Sequence, residues 1–156
     1  MPDISTTFAQ LLTSELQATQ ALHQLLEQEL AAFSNRELEP LANLHKQKSQ
    51  CLSQLQSQSR QRLEWMTEQQ LPHSRECLTR PEFAADDQIQ QVWQQLASSY
   101  EANQRISEVL SEMVLKARKR TIDQLNILRG KQNDPQLYSA TGKTRGLNRG
   151  SGYTSA

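Results

Sequence analysis

The chain has 156 residues with 17 basic and 17 acidic side chains, so it carries no net charge and bulk electrostatics name no partner. Hydrophobic residues make up 36% and aromatics 5%, lean for a thick globular core, and two cysteines are too few for a disulfide scaffold or a four-thiolate zinc site. No apolar run approaches the roughly 18 residues of a membrane span, and Met1–Gln10 lacks the basic-then-apolar order of a secretion signal, so a cytoplasmic protein without membrane insertion is expected.

Distribution along the chain says more. There are 22 Leu and 22 Gln but only eight Val and Ile together, a bias toward side chains that lose little rotamer freedom in a helix. All five glycines lie at or after Gly130. A sheet protein or a Gly-loop nucleotide enzyme would need them earlier, at its tight turns. The expected fold is therefore all-α: an elongated antiparallel three-helix bundle over 1–130 with coiled-coil-like packing, followed by a flexible basic tail over 131–156.

The first helix is expected from about Ser5 to Phe33, where Ile4, Phe8, Leu11, Leu12, Leu22, Leu26, Leu30 and Phe33 share one stripe. Ser34 and Glu37 have the spacing of a capping box that would start the second helix, with Pro40 tolerated near that start. That helix, about Glu37 to Gln69, should turn Leu41, Leu44, Cys51, Leu52, Leu55, Leu63 and Met66 inward. A reversal near residue 35 makes the two helices antiparallel neighbours and sets Lys48 level with His23 to Glu27, so its ammonium should reach Glu27 or solvent. Pro72 and Pro81 bracket a polar stretch with room for a short helical turn. The third helix should begin near Ala84–Asp87, carry an inward stripe from Ile89 through Tyr100 and Leu110 to Leu125 and Leu128, and stop at Gly130. Its stripe drifts as a repeat nearer 3.5 than 3.6 residues does, which implies left-handed packing.

Catalytic patterns are not found. Gly142-Lys143-Thr144 is not a phosphate loop, because the glycine required five residues earlier is Leu137. His73 and Cys77 are four apart but find no third ligand at matching spacing and read as surface residues; no metal or cofactor is expected. The three histidines build no nucleophile–base set, and no enzyme activity is expected.

Binding features gather at the far end. Residues 1–115 hold eight basic and 15 acidic side chains, while 116–156 hold nine basic and two acidic. Lys116, Arg118, Lys119 and Arg120 form a basic run without interleaved aromatics, which disfavours nucleic acid and leaves a solvated face or an acidic protein surface. Leu115 and Ile122, seven apart, lie on nearly the opposite side of the third helix from Leu110, Ala117 and Leu128. A helix apolar on two sides must bury both, in the bundle or a dimer, or offer one to a partner.

Leu11-Leu12-x-x-Glu15, Leu25-Leu26-Glu27-x-Glu29, Leu41-x-x-Leu44-x-x-x-Lys48, Asn103-Gln104-Arg105-Ile106, Leu125-x-x-Leu128-x-Gly130 and Leu137-Tyr138-x-x-x-Gly142 occur in an order that resembles the FlgN family of flagellar type III export chaperones. The resemblance implies a chaperone that uses no ATP, holds the hook–filament junction proteins FlgK and FlgL, and brings them to the export gate. It also places client binding toward the C-terminal segment. Leu115, Ile122, Leu125 and Leu128 are then the expected client-binding residues, with Lys116, Lys119, Arg120 and Tyr138 as docking residues. The alternative is a helical scaffold that self-associates or binds partners by coiled-coil contacts, so monomer and homodimer both stay open.

Overall fold

A computed structural model describes residues 2–130 of the chain. Three long helices make up most of them: α1 (Ile4–Ser34), α2 (Leu41–Glu68) and α4 (Asp87–Leu128). Between α2 and α4 lie a 3-10 turn (Arg75–Thr79) and a one-turn helix, α3 (Pro81–Ala84). Among the described residues there is no strand, so the glycine-free stretch folds as the helical bundle its composition implies. The chain divides into two compact units, Met1–Ser111 and Glu112–Ala156, and α4 begins in the first and ends in the second.

In the first unit the pairs Glu15–Arg62 and Glu29–Lys48 set α1 and α2 antiparallel. Tyr100 reaches Glu15 and Asn103 reaches Thr19, so α4 runs parallel to α1. The buried residues of α4 within this unit, Ile89, Leu96, Asn103 and Leu110, recur every seven positions, the repeat of a coiled-coil seam. They feed two apolar clusters. One gathers Phe8, Leu12, Leu16, Met66, Leu71, Cys77, Leu78, Phe83, Ile89 and Leu96. Phe8 sits at its centre, with ring centroids of Phe83, Trp65 and Trp93 at 4.9, 5.3 and 6.3 Å. The other joins Ala18, Leu22, Leu26, Leu55 and Leu110. Glu15, Thr19 and Asn103, all buried, form a polar layer between them.

The helix ends differ from the sequence expectation. Ser34 is the last residue of α1 and no capping box forms. Instead Arg36 takes a left-handed conformation (φ 59°), and the Glu37 and Arg36 N–H groups bond to the carbonyls of Ala32 and Phe33 at 2.8 and 3.1 Å. This is a Schellman closure without glycine. Helix α2 ends in the same way. Gln70 has φ 59°, and the Leu71 N–H bonds to the Met66 carbonyl at 2.8 Å, with both side chains in the first cluster. Pro40 then precedes α2, where its missing N–H costs nothing.

Because α2 starts at Leu41, the chain reverses near residue 38 rather than 35. Lys48 is therefore level with Glu29, and its ammonium bonds there at 2.9 Å instead of to Glu27. Glu27 faces His23 at 3.6 Å. Leu52, expected inward, is exposed. The stretch between the prolines is more than a polar connector. Cys77 and Leu78 within it, and Leu71 and Phe83 flanking it, all enter the first cluster, which makes Cys77 a core residue and not a surface one.

Candidate functional site

The second unit begins with the helical residues 112–128, and none of its described residues is buried. Leu115 is 63% exposed, Ile122 47%, Leu125 43% and Leu128 82%, with Val114 and Ile127 exposed as well. The helix is continuous through this stretch, so the seven-residue spacing places Leu115 and Ile122 on one line. The expected inward packing of Leu125 and Leu128 is not found: both side chains are exposed. Both apolar sides of the helix therefore meet solvent, where transfer to a partner would release about 1.5–3 kcal/mol per fully buried Leu or Ile.

Lys116, Lys119 and Arg120 are exposed on the same stretch and form no ion pair with another described residue. Counting Arg118 and Arg129 against Glu112 and Asp123, residues 112–129 hold five basic and two acidic groups. The structure thus brings the four leucine and isoleucine candidates and three of the docking candidates onto 14 consecutive helical residues, 115–128. Tyr138 lies outside the described residues.

A second constellation, unforeseen from the sequence, lies in the polar layer of the first unit. The Glu15 carboxylate is fully buried and accepts a two-point contact from the Arg62 guanidinium, with Nη2 at 3.2 Å from Oε2. It also accepts the hydroxyl of Tyr100. Burial pushes the Tyr100 phenol well above its ordinary range, and the neighbouring carboxylate adds to the rise. Arg62 lies 5.8 Å from the Trp93 ring centre, within reach of a cation–π contact. One turn on, Asn103 donates to the Thr19 carbonyl at 3.0 Å, so its side-chain oxygen is left to accept from His23 Nδ1 at 2.9 Å.

The signal for this layer was present in the heptad pattern. Glu15 falls seven residues after Phe8 and seven before Leu22, and Asn103 falls seven after Leu96 and seven before Leu110. A polar group at a seam position must find a partner or pay desolvation. What the pattern could not supply was the partner's identity, 47 residues away for Arg62 and 85 for Tyr100. With the carboxylate committed to Arg62 and Tyr100, the layer ties α1, α2 and α4 together in one register.

Beside it, an open groove of about 700 Å³ is lined by Leu52, Leu55, Leu63, His73 and Tyr100 among others. Among the described residues no set of three His, Cys, Asp or Glu side chains is placed to hold a metal ion, and no helix is long and apolar enough to cross a membrane. The family model described as FlgN protein matches residues 1–146. Comparisons with curated proteins and with solved structures find no match.

Proposed function

The chain belongs to the FlgN family of flagellar export chaperones, and on that premise we propose that it holds hook–filament junction proteins of the FlgK and FlgL kind in the cytoplasm and escorts them to the export gate. The observation that carries this reading is the run of exposed apolar side chains, Leu115, Ile122, Leu125 and Leu128, on one continuous helix. An export substrate must remain unassembled, and its amphipathic terminal helices are the surfaces that would self-associate. A helix laid against 112–128 exchanges that self-association for contact with the chaperone, which is helix-in-groove recognition. No covalent chemistry is needed. Lys116, Lys119 and Arg120 on the same helical stretch add long-range attraction, which raises the association rate more than the final affinity. Tyr138, with the segment 131–156, is assigned to docking on the client or the gate.

The test is a stoichiometric complex between the full chain and a purified junction protein, followed by calorimetry. Leu115→Asp with Ile122→Asp should weaken it by at least about 100-fold, because two apolar contacts are lost and two charges would be desolvated. Circular dichroism should stay helical, since both side chains are exposed. Truncation after Gly130 tests the tail in the same assay. Undiminished affinity in both variants removes this surface as the binding site.

The same exposed line could instead seat a second copy of the chain, making the protein a self-associating scaffold. Sedimentation would then show a concentration-dependent oligomer, and the two aspartates would leave monomer alone.

A further inference from the structure

Arg118 occupies an unusual position on the exposed helix. Its neighbours three and four residues away, Val114, Leu115, Thr121 and Ile122, are the groups that meet it on the helix surface. Val114, Leu115 and Ile122 are exposed apolar side chains, and Thr121 donates its hydroxyl to the Ala117 carbonyl at 3.1 Å. Leu125 lies seven residues on, along the same line. By helical angle Lys119 borders the patch beside Leu115, and Lys116 and Arg120 lie on other faces, whereas Arg118 stands inside the apolar patch. It makes no hydrogen bond or ion pair with any described residue.

A helix that covered this patch with hydrocarbon alone would bury the guanidinium without a partner, a heavy penalty. A partner able to use the patch must therefore bring an acceptor to its middle. The first unit of this chain already contains the matching arrangement. Glu15 sits at a seam position between Phe8 and Leu22, seven residues from each, and Arg62 of the neighbouring helix closes on it with two contacts. Such a fork-to-carboxylate pair is planar and bidentate, and lysine does not reproduce it.

We propose that Arg118 is the specificity anchor of the 112–128 surface and takes a carboxylate set within the apolar seam of an amphipathic client helix. This rests on the chaperone reading above and adds the recognition chemistry to it. The client helix is one with Glu or Asp at a seam position and apolar residues about a heptad to either side, the pattern α1 carries at Phe8, Glu15 and Leu22. An arginine ringed by apolar contacts that exclude water has the anatomy of a binding hot spot. Rim cations, by contrast, stay solvated and are screened by salt.

The experiment titrates the full chain with a synthetic peptide of the junction protein's terminal helix and with the whole junction protein, at low and at high salt. Arg118→Lys should weaken binding roughly tenfold although the charge is kept, and Arg118→Glu roughly 100-fold or more, mainly through faster dissociation. Lys119→Ala should alter the association rate and the salt dependence instead. Replacing the client's seam Glu or Asp by Arg should restore affinity to the Arg118→Glu chain. If Arg118→Lys binds like the parent, or if no client charge reversal rescues Arg118→Glu, the anchor role is overturned while the chaperone reading stands, provided Leu115→Asp with Ile122→Asp still abolishes binding. If the unaltered chain binds no junction protein, both readings fall. If the chain self-associates and Arg118→Glu dissolves the oligomer without touching client affinity, the occupant is a second copy and the client assignment is overturned.

Discussion

Arg62→Ala should be the most damaging surface-to-core truncation of a charged residue in the first unit. Glu15 has no solvent exposure, and its carboxylate is balanced by the Arg62 guanidinium and the Tyr100 hydroxyl. Removing the guanidinium leaves a buried anion with one neutral donor, a loss of about 3–5 kcal/mol. The contact with Trp93 at 5.8 Å adds about 0.5–2 kcal/mol. A domain of this size is stable by about 5–15 kcal/mol, so the variant should stand close to its folding threshold. In urea, with a slope of about 1–3 kcal/mol/M, the midpoint followed by circular dichroism should fall by about 2 M. Tyr100→Phe removes a single bond to a charged acceptor and should cost about 1.5–3 kcal/mol. Glu15→Leu with Arg62→Leu should recover most of what Arg62→Ala loses, because both desolvation penalties vanish together. A cost below about 1 kcal/mol for Arg62→Ala would refute the placement of a fully desolvated carboxylate at the centre of the bundle.

Two further outcomes follow from the same unit. Burial pushes the Cys77 thiol from its ordinary value of 9.0 up to about 11, partly opposed by Arg62. Between those values the folded chain keeps a proton that the unfolded chain has released, so stability should fall as pH rises from 9 toward 11, by about 1.4 kcal/mol per pH unit at most. Cys77→Ala should lower stability at neutral pH but flatten that alkaline decline; an unchanged slope would place the thiol in contact with water. Arg36→Gly and Gln70→Gly should each hold or raise the thermal midpoint, by up to about 1 kcal/mol of stability, because glycine adopts the left-handed φ of 59° without the Cβ penalty. A clear loss in both would mean that the two Schellman closures do not form.

The class of fold was legible because it depends on local facts. Glycine-free sequence, a Leu and Gln bias, and apolar spacing are properties of a chain read in order, and helix formation answers to that order. The ends of α4 followed for the same reason: two aspartates at its start and Gly130 at its finish act within one turn. The Ser34–Glu37 expectation failed because two local closures competed there. The left-handed turn at Arg36 satisfied the α1 carbonyls first, and the chain reversed three residues later than expected.

The exposed residues near the far end could be named from the sequence, since Leu115 and Ile122 leave the main stripe by angle alone. That Leu125 and Leu128 are also uncovered depends on which helices are present to pack there, and a single helix does not carry that information. The partners of Glu15 and Asn103 belong to the same category. Their seam positions announce that something polar must be answered, but only the folded chain brings Arg62, Tyr100 and His23 to them. Helical periodicity is fixed by neighbours a few residues apart. Pairing across the bundle is fixed by the loop that sets its register, and a shift of three residues there changes every contact made between the helices.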